Sequence, residues 1–120
     1  MKLVTAIVRP DRLDDLVAAL ADSGARGVTV TEVRGFGRQY GQLTQAREAA
    51  GLDPRTREHP VALLPKARLE LVVRDDDAAG VIHAIVKSAG SGTIGDGKIW
   101  VAPLDSVIRV RTGELDDAAV

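Results

Sequence analysis

The chain has 120 residues, which fits one domain spanning 1–120. Its hydrophobic content of 45% can build a core, but aromatics are only 2%, so that core is aliphatic; a net charge of −1 announces no nucleic-acid surface, and the absence of cysteine excludes disulfides, thiolate metal sites and cysteine catalysis. There is no hydrophobic signal core at the N-terminus and no apolar run long enough to span a bilayer, so a cytoplasmic protein without membrane insertion is expected.

Lys2 to Arg9 reads as a strand. Val4, Ala6 and Val8 alternate with Leu3, Thr5 and Ile7, so both faces are largely apolar and the strand is expected to be central. Pro10 ends it, Asp11 is the expected N-cap, and Leu13, Leu16, Val17 and Leu20 mark one helical face. Ser23-Gly24 stops that helix. Val28 to Arg34, rich in valine and threonine, reads as a second strand ended by Gly35-Phe36-Gly37. Arg38 to Leu64 lacks strand alternation, carries Gly41, Gly51, Pro54 and Pro60, and reads as a long polar loop; Gln42 to Ala50 could form a short helix, without a firm face.

After Pro65-Lys66, Leu69, Leu71 and Val73 alternate with Arg68, Glu70 and Val72 as a third strand. Asp75 to Asp77 are expected to cap a second helix whose Ala78, Val81, Ile82, Ile85, Val86 and Ala89 share a face. A strand from Lys98 to Ala102 follows. Val107 to Arg111 reads as a last strand, with Arg109 and Arg111 on one face, and the acidic tail 112–120 is expected to be loose.

Between the second helix and the Lys98 strand lies Gly90-Ser91-Gly92-Thr93-Ile94-Gly95-Asp96-Gly97-Lys98. Glycines let backbone N–H groups turn inward on an anion, and the closing lysine adds a full charge. The stretch contains G-x-G-x-x-G and nearly matches a P-loop, except that Ile99 stands where a hydroxyl should bind metal. Both of those motifs need a strand before and a helix after; here the order is helix then strand. The pattern reads as a phosphate cradle of neither type, and an ordinary glycine-rich connector would have the same composition.

The two halves, Lys2 to Val33 and Lys66 to Ala102, each run strand, helix, glycine-bearing turn, strand. Two such units in tandem give an α+β, ferredoxin-like βαββαβ sandwich with both helices on one sheet face. The many apolar strand positions facing the other way call for cover by further copies of the chain.

Taken together, Met1–Ile7, Thr29–Gln39, Leu64-Pro65-Lys66, Ile94–Ile99 and Ile108–Glu114 resemble the PII nitrogen-regulatory signal proteins. The resemblance implies a homotrimer that binds ATP or ADP, with AMP also conceivable, in clefts between subunits. It implies Mg²⁺ and 2-oxoglutarate as further effectors, and a long T-loop, here 38–64, that docks on a target enzyme or transporter. The glycine stretch 90–98 takes the place of the B-loop. Carried over residue by residue, the nucleotide would meet Thr29, Gly35, Gly37, Arg38, Gln39, Glu70, Val72, Ile94, Gly95, Asp96, Gly97 and Lys98. Arg109 and Arg111 would reach in from a neighbouring subunit. Gln39, Lys66 and Gly95 would hold 2-oxoglutarate, and Gln39 would help hold Mg²⁺.

The chain also departs from that pattern. Its only tyrosine, Tyr40, sits at the loop base, and no Tyr or Ser occurs from Gly41 to Leu64, so standard nucleotidylation of the loop is not expected. The loop is several residues longer than usual for the family. Gly90 and Thr93 stand where the family usually has Arg and Lys, which disfavours a triphosphate relative to a di- or monophosphate. The alternative is therefore a PII-like sensor of adenylate charge, or of another small metabolite linked to carbon, bicarbonate or transport, that ignores 2-oxoglutarate. An enzyme is disfavoured, since Asp96 stands alone beside the cradle and His59 and His83 lie elsewhere. RNA binding would rest on Phe36 and Trp100 alone. A trimeric metal-tolerance protein would need a ligand cluster that the sequence lacks.

Overall fold

A computed structural model describes residues 1–37, Gly51 and 63–120. The short helix considered at 42–50, most of the loop 38–64, and Arg38, Gln39 and Tyr40 lie outside the described residues. Four strands, β1 (Lys2–Val8), β2 (Thr29–Gly35), β3 (Leu64–Val73) and β4 (Gly97–Pro103), form one sheet in the order β2-β3-β1-β4. Every neighbouring pair is antiparallel. Helices α1 (Leu13–Asp22) and α2 (Ala78–Ala89) connect β1 to β2 and β3 to β4. Each connection steps over one strand, so the two strand-helix-strand units interleave as the ferredoxin-like order requires.

Strand parity divides the sheet. In the register, Val4 lies between Leu71 and Val101, Ala6 between Leu69 and Ile99, and Val8 between Ala67 and Gly97. Of these, Val4, Ala6, Val8, Ala67, Leu69 and Leu71 join Leu16, Leu20, Val81, Ile85 and Ala89 of the helices in one buried core. A buried leucine contributes about 1.5–3 kcal/mol of transfer free energy, so these aliphatic side chains carry the fold without aromatics. The opposite parity, Leu3, Thr5 and Ile7 with Lys66, Arg68, Glu70, Val72, Lys98 and Trp100, looks away from the helices. On that open face Thr5 is buried between its cross-strand neighbours Glu70 and Trp100.

Several expectations change. The acidic residues at the helix starts make no side-chain caps: Pro10–Arg12 and Asp75–Asp77 wind as single 3₁₀ turns ahead of α1 and α2. Asp11 instead takes a forked ion pair from Arg9, at 3.0 and 2.8 Å. β2 starts one residue later than the sequence suggests, leaving Val28 packed on the core ahead of it. Val107 to Arg111 is not a sheet strand. It forms one arm of a short hairpin closed by the Ile108–Leu115 bridge, with Gly113 N–H donating to the Arg109 carbonyl at 2.8 Å. The Thr112-Gly113 turn brings the chain back on itself, so local partners replace a sheet edge. The tail is not loose either. Arg26, Arg74 and Arg109 donate to main-chain oxygens of Val120 (3.1 Å), Asp117 (2.8 Å) and Ala119 (3.3 Å), holding it at three points.

Candidate functional site

The open sheet face and the glycine loop together enclose a cleft of about 880 Å³. The end of β2 supplies Val33 through Gly37, β3 supplies Lys66 and Arg68, β1 supplies Ile7, and Trp100 of β4 closes the floor. Gly92 through Lys98 form the far wall. Two kinds of surface therefore meet. Ile7, Val33, Phe36, Ile94 and Trp100 give an apolar wall, while Arg34, Lys66, Arg68 and Lys98 give four cations against a single carboxylate, Asp96, among the described lining residues. That balance suits an anion carrying a flat or apolar part.

The loop is fixed at three points. At its start, Asp96 Oδ2 accepts from the backbone N–H of Ser91 at 2.7 Å and of Thr93 at 3.3 Å, while Oδ1 accepts from the Ser91 hydroxyl at 2.5 Å. These bonds, those from Ser91 foremost, hold the Asp96 carboxyl down at about 2. At its middle, Lys66 Nζ donates to the Gly95 carbonyl at 3.2 Å, tying β3 to the loop across the cleft. At its end, Gly97 has φ +108°, and a Cβ there would lie 1.7 Å from the Ile7 carbonyl oxygen. Only glycine lets the loop run this close against β1 before entering β4.

Over residues 1–114 the chain matches the family described as nitrogen regulatory protein P-II. The chain belongs to the P-II family. It is 48% identical over 120 residues to nitrogen regulatory protein GlnK of Escherichia coli (strain K12), covering all of both chains. It is 48% identical, again over the full length of both, to nitrogen regulatory protein P-II 1 of the same strain. To nitrogen regulatory protein P-II 2 of Methanothermobacter thermautotrophicus it is 47% identical, covering the whole chain and 97% of that protein. The protein is thus a nitrogen-regulatory signal transducer of the P-II family, and these relatives are named as regulators, not enzymes. No helix among the described residues is long and apolar enough to cross a membrane.

In this P-II chain the cleft gathers Gly35, Gly37, Lys66, Ile94, Gly95, Asp96, Gly97 and Lys98 of the residues singled out from sequence. Thr29, Glu70 and Val72 do not line it. They lie further along the same open face, where Thr29 pairs with Glu70 in the row that runs through Thr5 to Trp100, and Arg68 makes a 2.6 Å ion pair with Glu70. Arg109 and Arg111 do not line it either. Arg109 is held in its own hairpin by Glu114, whose carboxylate also accepts from the Thr112 hydroxyl at 2.7 Å. Arg38 and Gln39 fall outside the described residues. The lining residues that sequence reasoning passed over include Ile7, Arg34 and Arg68, while Trp100 was weighed there only for RNA stacking. Arg68 carries a legible signal, because it shares strand parity with Lys66.

Proposed function

We propose that the cleft is an adenine-nucleotide site, and that nucleotide occupancy sets how the loop 38–64 engages a target enzyme or transporter in nitrogen regulation. The observation that carries this reading is the meeting of an apolar wall, suited to a base, with glycine-loop amides and the cations Lys66, Arg68 and Lys98, suited to phosphates. Lys66 Nζ reaches the loop at the Gly95 carbonyl, which supports reading its ammonium as the partner of a 2-oxoglutarate carboxylate beside the phosphates. No group of three or more acidic or histidine side chains able to hold a metal occurs among the described residues. On this reading Mg²⁺ would be held by the phosphates and the Gln39 amide, in keeping with a hard cation that takes most of its ligands from substrate and water.

The same reading has the chain act as a homotrimer. The open sheet face exposes Trp100 and leaves Leu3, Ile7, Val33 and Val72 only half-covered, a surface that invites further copies. In that assembly Arg109 and Arg111 would complete a neighbour's site. A second reading, adenylate-charge sensing without 2-oxoglutarate, is favoured by one observation: the first half of the loop offers no cation, and its Ser91 and Thr93 amides are already spent on Asp96. Calorimetric titration with ATP, ADP and AMP, each with and without Mg²⁺ and 2-oxoglutarate, separates the readings. ATP binding that enables 2-oxoglutarate binding supports the first. Preference for ADP or AMP, with no response to 2-oxoglutarate, supports the second. Failure to bind any adenylate removes both.

A further inference from the structure

We infer that Asp96 is a positioning residue: its carboxylate serves as a built-in anion that holds Ser91–Thr93 in place, so that Ile94–Lys98 is presented to the ligand's phosphates. The inference rests on the nucleotide reading above and assigns the two halves of the glycine loop different tasks. The first half binds the chain's own carboxylate. The second half binds the ligand.

The hydrogen bonds of the loop support this division. A carboxylate has about four acceptor positions. In Asp96 three are filled by the loop itself, through the Ser91 N–H, the Thr93 N–H and the Ser91 hydroxyl. The Ser91 hydroxyl is in turn 2.7 Å from that of Thr93, so both side chains of the first half are drawn into the same network. Arg9, itself paired with Asp11, stands 3.9 Å from Asp96 Oδ1 and partly balances its charge. The carboxylate therefore has little capacity left for a ligand, and it would repel a phosphate rather than recognise it. What it does is close the segment 91–96 into a tight turn, with the Asp96 N–H reaching the Thr93 carbonyl at 3.4 Å. Within that turn Gly95 is held by Lys66, and just beyond it Gly97 is wedged against β1. The first of the three anchors is the one that sets the loop's entry.

Two physical accounts of Asp96 predict opposite signs. If it acted only through its charge, Asp96→Asn would remove a negative group from a site for polyanions and tighten nucleotide binding. If it positions the loop, the same variant loses charge-assisted hydrogen bonds that pre-form the site and weakens binding. The test is calorimetric titration of the wild type, Asp96→Asn and Ser91→Ala with ADP and ATP, combined with amide hydrogen exchange of the unliganded proteins. Positioning predicts that Asp96→Asn weakens both nucleotides by about tenfold or more. Ser91→Ala, which keeps the charge and both amide bonds, weakens them less but in the same direction. The Ser91 and Thr93 amides exchange slowly in the wild type and fast in Asp96→Asn, while β1 and β3 amides are unchanged. A merely structural role would lower the urea midpoint and leave the affinity of the folded protein alone. Unchanged or tighter binding by Asp96→Asn overturns the inference. If Asp96→Asn does not fold, Ser91→Ala decides, and unaltered affinity there also overturns it. A wild type that binds no adenylate removes the nucleotide reading instead, and the exchange comparison then judges Asp96's hold on the loop by itself.

Discussion

Replacing Gly97 with alanine attacks the point where the glycine loop meets the central strand. The added Cβ would lie 1.7 Å from the Ile7 carbonyl oxygen, 2.8 Å from the Ile7 carbonyl carbon and 3.2 Å from Val8 Cα. All three are backbone atoms of β1, so no side chain can swing aside. The φ of +108° adds a cost of about 1–3 kcal/mol for a residue with a Cβ. Relief of the overlap requires β4 to part from β1 near the Val8–Gly97 pair, which forfeits ladder hydrogen bonds at about 1 kcal/mol each. The sum is about 3–5 kcal/mol, a large share of the roughly 5–15 kcal/mol that holds a small domain together. Gly92→Ala is the matched control: its φ is +76°, but nothing lies within 4 Å of the added Cβ, so it should cost only about 1–2 kcal/mol. Urea denaturation of both variants, followed by the fluorescence of the single tryptophan, Trp100, measures the difference. Equal, small losses in the two variants would refute the claim that contact with β1, and not glycine's freedom alone, dictates Gly97.

Further outcomes follow from the same contacts. Lys66→Met removes the link to the Gly95 carbonyl and one cation from the cleft; it should weaken ADP and ATP several-fold in calorimetry while changing stability by less than about 1 kcal/mol. Asp96, held at about 2, contributes stability that is fully present above its unfolded value of about 3.9 and is lost as pH falls through about 2. Asp11 and Asp75, lowered chiefly by hydrogen bonds from Arg9 and the N-terminal amine, act in the same direction, so urea midpoints should fall between pH 4 and 2, less steeply in Asp96→Asn. Leu69→Ala, at a fully buried position on β3, should cost about 2–5 kcal/mol in urea denaturation. Intact-mass analysis of protein from nitrogen-starved cells should show no nucleotidyl adduct, since the loop from Gly41 to Leu64 holds neither Tyr nor Ser; an adduct on any loop residue would reverse that expectation.

What could be read without coordinates depended on whether a residue's partners were periodic or local. Val4, Ala6 and Val8, alternating with Leu3, Thr5 and Ile7, announced a central strand because both faces are largely apolar, and the register places them against Leu71, Leu69 and Ala67 on one side and Val101, Ile99 and Gly97 on the other. Leu16, Leu20, Val81 and Ile85 announced the helix faces in the same way. Periodicity misled at Val107–Arg111. Alternation there is genuine, but a strand needs an edge to pair with, and Thr112-Gly113 returns the chain to pair Ile108 with Leu115 instead. Arg109 is consequently tied to Glu114 and Ala119 of the same chain. The cleft was half-legible. The glycine loop and Lys66 stood out as types, whereas Arg68 looked like an ordinary outward-facing strand residue and Trp100 was weighed only for RNA stacking. They become site residues only because the loop, bent by Asp96 and pinned at Gly97, folds over the face they share. Composition could suggest a phosphate cradle in 90–98. Only the hydrogen bonds reveal that its first half already holds an anion, the Asp96 carboxylate.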